Sequence, residues 1–313
     1  MTGVTRMDFL VVGPGAMGCL FAARLGRAGL DVRLLDHRPD RAAELDRRGI
    51  RVEAEDGGYE VRIPTTAGPL DSEPEFALIC VKSHQTAEAG RTMRDLVPGD
   101  PVVVTLQNGL GHVETLEEIF GAGRVLGGVT SEGATLLGTG RIRHAGRGET
   151  VVGPRKAAGG AVNRLVEAFN RAGFESRSVE QVRDLVWGKL LVNVGINALT
   201  ALVRLHNGRL PDLPGTRQVM ERAVAEAAAV AEAGGVRLPY PDPLERVIQV
   251  CRATAGNVAS MLQDVLRERV TEVDYINGAI VREGTALGVP TPVNETLTSL
   301  VRAVQDSYGD RVT

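Results

Sequence analysis

Along the first half of the chain, short apolar runs alternate with stretches whose apolar residues recur at helical spacing. Residues 9–12 form an apolar run that ends in glycines, 16–28 have helical periodicity closed by Gly29, 32–35 form a second run, and 39–48 a second helix with Asp36 near its start. This alternation predicts a βαβ unit. Further strands are expected at 76–81 (FALICV), 102–106 (VVVTL) and 125–129, with polar or helical segments between them. The stretch 51–63 (RVEAEDGGYEVRI) reads as a hairpin about Gly57 and Gly58, and 135–152 (TLLGTGRIRHAGRGETVV) as antiparallel strands, so the sheet is expected to be mixed at one edge. From about Gln181 strand signals vanish, and Ala-, Leu- and Val-rich periods predict helices over 186–202, 216–233, 244–266, 271–287 and 293–304. The pattern predicts an α/β domain over 1–180 and an all-helical domain over 181–313, with no internal repeat, low-complexity tract or long linker.

Composition narrows the function classes. With 313 residues, 43% hydrophobic and 24% charged, the chain is an ordinary globular protein with a large core. A formal net charge of −3 and the lack of a dense Lys/Arg run argue against nucleic acid as a partner. Cys19, Cys80 and Cys251 are widely separated in apolar surroundings, so neither a disulfide framework nor a metal-ligand cluster is expected, and that usage suits a reducing cytoplasm. The N-terminal MTGVTRMDFLVVG runs from a short apolar stretch straight into glycines, unlike a signal peptide, and nowhere are there about 18 uninterrupted apolar residues, the length of a membrane span. A soluble cytoplasmic protein is expected. His84, His112 and His144 have no Cys, Asp or Glu at ligand spacing, read as surface or loop residues, and no metal is expected.

The glycines after the first strand carry chemistry. Gly13, Pro14, Gly15, Ala16, Met17 and Gly18 match G-x-G-x-x-G. The first glycine permits the tight turn, the second lets backbone approach a pyrophosphate, and the third allows close packing of helix on strand. Phosphates would sit at the N-terminus of the helix from Ala16, where unpaired N–H groups point outward. In a chain with 38 glycines the pattern alone is weak; following a strand, opening a helix and closing a βαβ unit, it predicts dinucleotide binding. Asp36, at the end of the second strand, stands where an acidic side chain accepts bonds from the adenosine ribose of NAD, and would repel a 2′-phosphate. The same residue could instead cap the helix at Pro39. His37 and Arg38 follow directly, and an arginine in this loop can hold a 2′-phosphate. The cofactor is therefore NAD(P)H, with a lean toward NADH from Asp36.

The helix expected at 186–202 (VWGKLLVNVGINALTAL) is apolar almost all round, yet Lys189, Asn193 and Asn197, four apart, form one narrow polar stripe. Buried ammonium and amide groups need partners. Either the stripe meets polar groups of a neighbouring helix, or it faces a small anionic, carbonyl-bearing substrate in a cleft between the domains.

Beyond these readings, the whole chain resembles the ketopantoate reductases (2-dehydropantoate 2-reductases). The anchors are GPGAMG at 13–18, CVKSHQ at 80–85, QNG at 107–109, WGKLLVNVGINALTAL at 187–202, NG at Asn207 and Gly208, NVASMLQD at 257–264 and TEVDYING at 271–278, in that order. The resemblance implies a Rossmann-type dinucleotide-binding domain followed by a helical domain like the C-terminal domain of 6-phosphogluconate dehydrogenase, and reduction of the C2 ketone of ketopantoate to pantoate. It implies that Lys189 is the catalytic lysine, donating a proton or hydrogen bond to the ketone oxygen, and that Glu272 holds this lysine and tunes its pKa. Asn193, Asn197 and Ser260 match positions binding the substrate carboxylate and hydroxyl, with Asn257 in the same wall. Lys82 and Asn108 match residues of the nucleotide domain near nicotinamide and substrate, and Glu272, Lys82 and Asn108 thereby also border the cofactor. From the residues alone, Lys189 could snorkel to the surface, Glu272 could complement a helix dipole, Asn257 and Ser260 could be helix-surface residues, Lys82 could be solvated and Asn108 could serve a turn. Family members are usually NADPH enzymes with a basic residue at the end of the second strand, whereas this chain reads Leu35, Asp36, His37, Arg38. A paralogue acting on another branched 2-oxo acid, or a dinucleotide-binding protein without turnover, are the alternative readings. A homodimer is expected by resemblance only.

Overall fold

The computed structural model describes residues 5–55, 57–154 and 160–310; residues 1–4, at the start of the N-terminal stretch discussed above, and Asp56, in the expected hairpin turn, lie outside them. The chain folds into two compact units, Met1–Gln107 with His112–Val182, and Asn108–Gly111 with Arg183–Thr313.

The first unit begins β1 (Thr5–Val12), α1 (Ala16–Arg27), β2 (Val32–Leu35), α2 (Pro39–Arg48), β3 (Ile50–Glu53), β4 (Tyr59–Val61), β5 (Thr65–Thr66) and β6 (Ser72–Ile79). It continues with α3 (Thr86–Leu96), β7 (Val102–Thr105), α4 (His112–Phe120), β8 (Val125–Thr130), β9 (Gly133–Gly138), β10 (Arg141–Gly146), β11 (Thr150–Pro154), α5 (Ala161–Arg171) and β12 (Ser176–Ser178). Eight strands form one sheet in the order β12-β11-β8-β7-β6-β1-β2-β5. From β8 to β5 neighbouring strands are parallel, while β11 pairs antiparallel with β8, so the sheet is mixed at one edge, as expected. Strands such as β7, VVVT, are apolar on both faces because helices cover both sides of a parallel sheet. The order reverses between β1 and β6, the switch point at which such sheets bind ligands.

The segment 135–152 behaves differently from the expectation of edge strands on this sheet. Only β11 joins it. β9 and β10 pair with each other and, through the parallel β10–β3 contact, with β3 and β4 to make a separate four-stranded sheet. The cause is visible in the period-two pattern of β10: Ile142 is fully buried, whereas Arg141 and Arg143 point outward to Glu53 of β3. A strand with one apolar face can cover only one layer, here α1, which packs against both sheets and is correspondingly apolar. His144, read from sequence as a surface residue, is half-buried with only 6% of its side chain exposed; its Nε2 lies 2.5 Å from Glu132 Oε2, and Glu132 also meets Arg24 of α1 at 3.3 Å. His112 is buried, its Nδ1 3.4 Å from Thr86 Oγ1.

The second unit contains α6 (Arg183–Val203), α7 (Pro214–Ala233), α8 (Pro243–Ala253), α9 (Ser260–Leu266), α10 (Asn277–Leu287) and α11 (Pro292–Asp306). α6 is its hub: α7, α8, α9 and α11 all pack against it, which explains an apolar surface on nearly every side. By length and composition α6 would suit a membrane span, but 67% of its apolar window is buried inside the unit. Two expected helices are broken. The continuous helix over 244–266 is interrupted at 254–259, where the carbonyls of Ala255 and Asn257 accept the amides of Gly208 and Asn207 and Thr254 Oγ1 accepts from Asn207 Nδ2. Tertiary hydrogen bonds thus override a locally acceptable helix, and Gly208 is required because a Cβ there would lie 2.5 Å from that of Ala255. The helix expected over 271–287 is a short 3-10 turn, Val273–Tyr275, followed by α10. Glu272 therefore stands at the entrance of that turn and not in the first turn of a long helix.

Candidate active site

In the first unit the glycine loop joins β1 to α1 beside the end of β6. Gly13 has φ +94°, and a Cβ there would come within 2.6 Å of Val81 Cγ1. Gly18 is tighter: its Cβ would lie 2.1 Å from the Gly13 carbonyl oxygen. Gly15 differs, since the nearest atom to its Cβ would be 3.8 Å away, leaving the space above the N-terminus of α1 open to a phosphate. The first turn of α1 contains no acidic residue. Below the loop, burial pushes the Cys19 thiol up to about 12 and the Cys80 thiol higher still, so both stay neutral and add no negative charge under a pyrophosphate. The residues present fit a dinucleotide.

At the end of β2, Asp36 is buried and does not cap α2, whose N-cap position is Arg38. Its carboxylate accepts the Arg38 backbone N–H at 3.2 Å and is gripped by Arg41, with Nε 2.5 Å from Oδ2 and a terminal guanidinium nitrogen 2.7 Å from Oδ1. His37 is exposed and its Nδ1 lies 3.5 Å from Asp36 Oδ1; the Arg38 guanidinium turns to Asp40. The sequence reading missed Arg41, although its place five residues after Asp36, in the first turn of α2, was a usable signal. Lys82 is half-buried and opens the 3-10 turn Ser83–Gln85 after β6. Gln107 braces that loop by donating from Nε2 to the Val81 carbonyl at 2.8 Å and to Thr86 Oγ1 at 2.9 Å.

In the second unit the polar stripe is real. Lys189 is half-buried, Asn193 half-buried and Asn197 buried, successive turns of one face of α6. Loss of water around Lys189 lowers its ammonium pKa to about 8, against the pull of the nearby Glu272 carboxylate, which favours the charged form. Glu272 is only 7% exposed. One turn from Lys189, the buried Nδ2 of Asn193 has no hydrogen-bond partner, so α6 presents a donor that a bound molecule can satisfy. Gly188 lets Tyr240 approach the helix beside Lys189: the Tyr240 hydroxyl donates to the Gly188 carbonyl at 2.7 Å, and Pro239 lies where a Cβ would go.

The structure does not gather every expected residue as closely. Asn257, in the break between α8 and α9, and Ser260, the first residue of α9, are exposed, on a segment whose helix packs against α6. Asn108 belongs to the helical unit and not to the nucleotide-binding one: Leu110 N donates to the Tyr275 carbonyl at 3.0 Å, and Gly109, with φ +99°, fits only without a Cβ, which would be 2.3 Å from that oxygen. The loop carrying Asn108 thus rests on the same turn that Glu272 opens.

Known proteins share this sequence pattern and fold. The chain matches the family Ketopantoate reductase PanE/ApbA over residues 9–157 and its C-terminal counterpart over residues 181–305. A 2-dehydropantoate 2-reductase of Halobacterium salinarum is 39% identical over 302 residues, covering 96% of this chain and 99% of the relative, and one of Pyrococcus horikoshii is 32% identical, covering 97% and 99%. Among solved structures, a PanE/ApbA family ketopantoate reductase from Ralstonia eutropha superposes with a TM-score of 0.87 at 33% identity, over 96% of this chain and 99% of that one. D-mandelate dehydrogenase with NADH and anilino(oxo)acetate superposes with a TM-score of 0.88 at 26% identity, over the same shares. A glycine loop at the switch point, a lysine set against a buried glutamate, and near-full-length identity to several such reductases lead to one assignment: the chain belongs to the ketopantoate reductase family.

Proposed function

We propose that this chain is a 2-dehydropantoate 2-reductase, reducing the C2 ketone of ketopantoate to pantoate with NAD(P)H. A nicotinamide bound through the glycine loop would supply the hydride for C2. Lys189 supplies the proton: as negative charge develops on the ketone oxygen, the Nζ–H bond breaks and the O–H bond forms. Glu272 keeps the lysine protonated against the desolvation that lowers its pKa. Asn193 and Asn197, with Ser260 and Asn257, hold the carboxylate and hydroxyl of the substrate, while Lys82 and Asn108 serve the cofactor and substrate. The single observation that carries this reading is the Lys189–Glu272 pair on a stripe whose Asn193 Nδ2 is unmet. Oxidation of NADPH, and separately NADH, by purified protein with ketopantoate tests it; dinucleotide binding without turnover would remove the substrate from the proposal.

A proton donor of pKa about 8 imposes a pH dependence. Reduction should be fast below that pH, where the ammonium is present, and should fall as pH rises through it. Glu272→Gln removes the group that raises the pKa, so the fall should move to lower pH, and each unit moved would cost about tenfold at a fixed pH on the falling limb. A profile identical to that of the parent would show that Glu272 does not tune the lysine.

The likeness to D-mandelate dehydrogenase, solved with NADH and anilino(oxo)acetate, favours a second reading in which another 2-oxo acid is reduced by the same groups. Turnover on a panel of 2-oxo acids separates the two. The proposal also includes a cytoplasmic setting, which three free cysteines suit, and a homodimer, which exposed Leu266, Val270 and Leu300 of the helical unit support and light scattering would test.

A further inference from the structure

We propose that Arg41 decides which adenosine ribose the chain accepts, by covering Asp36 and turning an acidic corner into one that tolerates a 2′-phosphate. The inference rests on the reading of the first unit as the NAD(P)H-binding part of a reductase. An aspartate selects NADH only if its oxygens face the ribose, to accept bonds from the 2′- and 3′-hydroxyls and to repel a phosphate. The Asp36 side chain is 0% exposed, and each carboxylate oxygen lies within 2.7 Å of an Arg41 nitrogen. The third edge is taken by the Arg38 amide. Ribose hydroxyls would have to displace a bidentate guanidinium, the strongest of the side-chain partners a carboxylate can have.

What the corner shows to solvent is mixed and no longer Asp36: the exposed Asp40 carboxylate, 69% by side chain, is paired with Arg38. Arg41 is 28% exposed, His37 61% and Arg38 53% by side chain. The guanidinium of Arg41 uses Nε and one terminal nitrogen on Asp36, leaving the donors of the other terminal nitrogen for a ligand. Formal charges balance within the corner, Asp36 against Arg41 and Asp40 against Arg38, so the repulsion expected from Asp36 alone is cancelled at its source. The 2′-phosphate of NADPH then meets donors from Arg41 and Arg38 in place of a bare carboxylate.

Calorimetric titration of NADP⁺ and NAD⁺ into the full-length protein and its variants tests this without any substrate. The parent should bind NADP⁺ at least as tightly as NAD⁺. Arg41→Ala should weaken NADP⁺ by roughly 10- to 100-fold, the scale of losing a charged hydrogen bond, while NAD⁺ is unchanged or tighter because Asp36 is bared. Asp36→Asn should leave NAD⁺ affinity within about twofold; it also covers the case in which Arg41→Ala does not fold. In the doubly substituted Asp36→Asn, Arg41→Ala protein, part of the NADP⁺ loss should return, since the exposed carboxylate is gone. Equal losses for both dinucleotides on Arg41→Ala, or a tenfold or greater loss of NAD⁺ on Asp36→Asn, would overturn the proposal in favour of an ordinary ribose-binding aspartate. Failure of the parent to bind either dinucleotide would overturn the inference and the reductase reading together, whereas the expected pattern with no turnover of ketopantoate would remove only the substrate.

Discussion

Lys189→Ala should lower kcat/KM for ketopantoate by about 10²-fold or more, the scale of losing a general acid, while the affinity for NADPH stays nearly unchanged. The separation follows from placement: Lys189 is on α6 in the helical unit, whereas the glycine loop and Asp36 are in the other. Lys189→Arg separates chemistry from charge. An arginine would preserve a cation beside Glu272 yet remains protonated throughout the accessible pH range, so it can offer hydrogen bonds but no transferable proton. Lost activity with retained folding in both variants is the expected result. Because removal of the ammonium leaves the Glu272 carboxylate buried without its counter-charge, Lys189→Ala should also unfold at a lower temperature, and adding Glu272→Gln should recover part of that stability without recovering turnover. Near-normal kcat in the alanine variant would sink the role assigned to Lys189.

Gly18→Ala should be comparably damaging, through geometry alone. The added methyl would stand 2.1 Å from the Gly13 carbonyl oxygen and 3.1 Å from Cys80 Cβ. Neither neighbour is the end of a flexible side chain, so α1 must shift away from β1 and β6, and the loop that presents its amides to the pyrophosphate shifts with it. Overpacking of this kind costs about 1–3 kcal/mol of stability. Displaced amides should weaken dinucleotide binding by about 10- to 100-fold. Calorimetry with NADP⁺ and thermal unfolding read the two effects separately; unchanged affinity would mean that α1 tolerates the shift and that the close packing at Gly18 is not what shapes the loop.

Most of the framework of both units was legible in the sequence because it follows from period and punctuation. The 32–35 strand and the 39–48 helix coincide with β2 and α2, since Asp36 and Gly49 bracket a clean amphipathic period. The polar stripe of α6 could be seen because three polar residues four apart in an otherwise apolar helix have few structural explanations. What could not be read depends on partners remote in sequence. The break at 254–259 exists because Asn207 and Gly208 donate to it from a turn nearly fifty residues earlier, and no local propensity reports that. The second sheet arises from a parallel pairing of β3 with β10, about ninety residues apart, and the burial of the His144 side chain follows from it. Arg41 was missed for a different reason: its place five residues after Asp36 was a signal, but an arginine in the first turn of a surface helix is ordinary until its fork is seen on Asp36.

The loop Asn108–Gly111 has a consequence for how this chain can be cut and recombined. Covalently it lies between β7 and α4, yet it packs with the helices, so the polypeptide passes from one unit to the other three times rather than once. A fragment that starts at Arg183 would contain all six helices but leave the Tyr275 carbonyl without the amide of Leu110, next to the turn that Glu272 opens. A chimaera that exchanged only Arg183–Thr313 with a distant relative would join a foreign turn to a native loop, fitted at Gly109 so closely that a Cβ there would run into the Tyr275 backbone. Such a chimaera should fold with reduced stability and recover when the four residues of the donor's loop travel with its helices, which makes the loop, short as it is, part of the inheritance of the helical half.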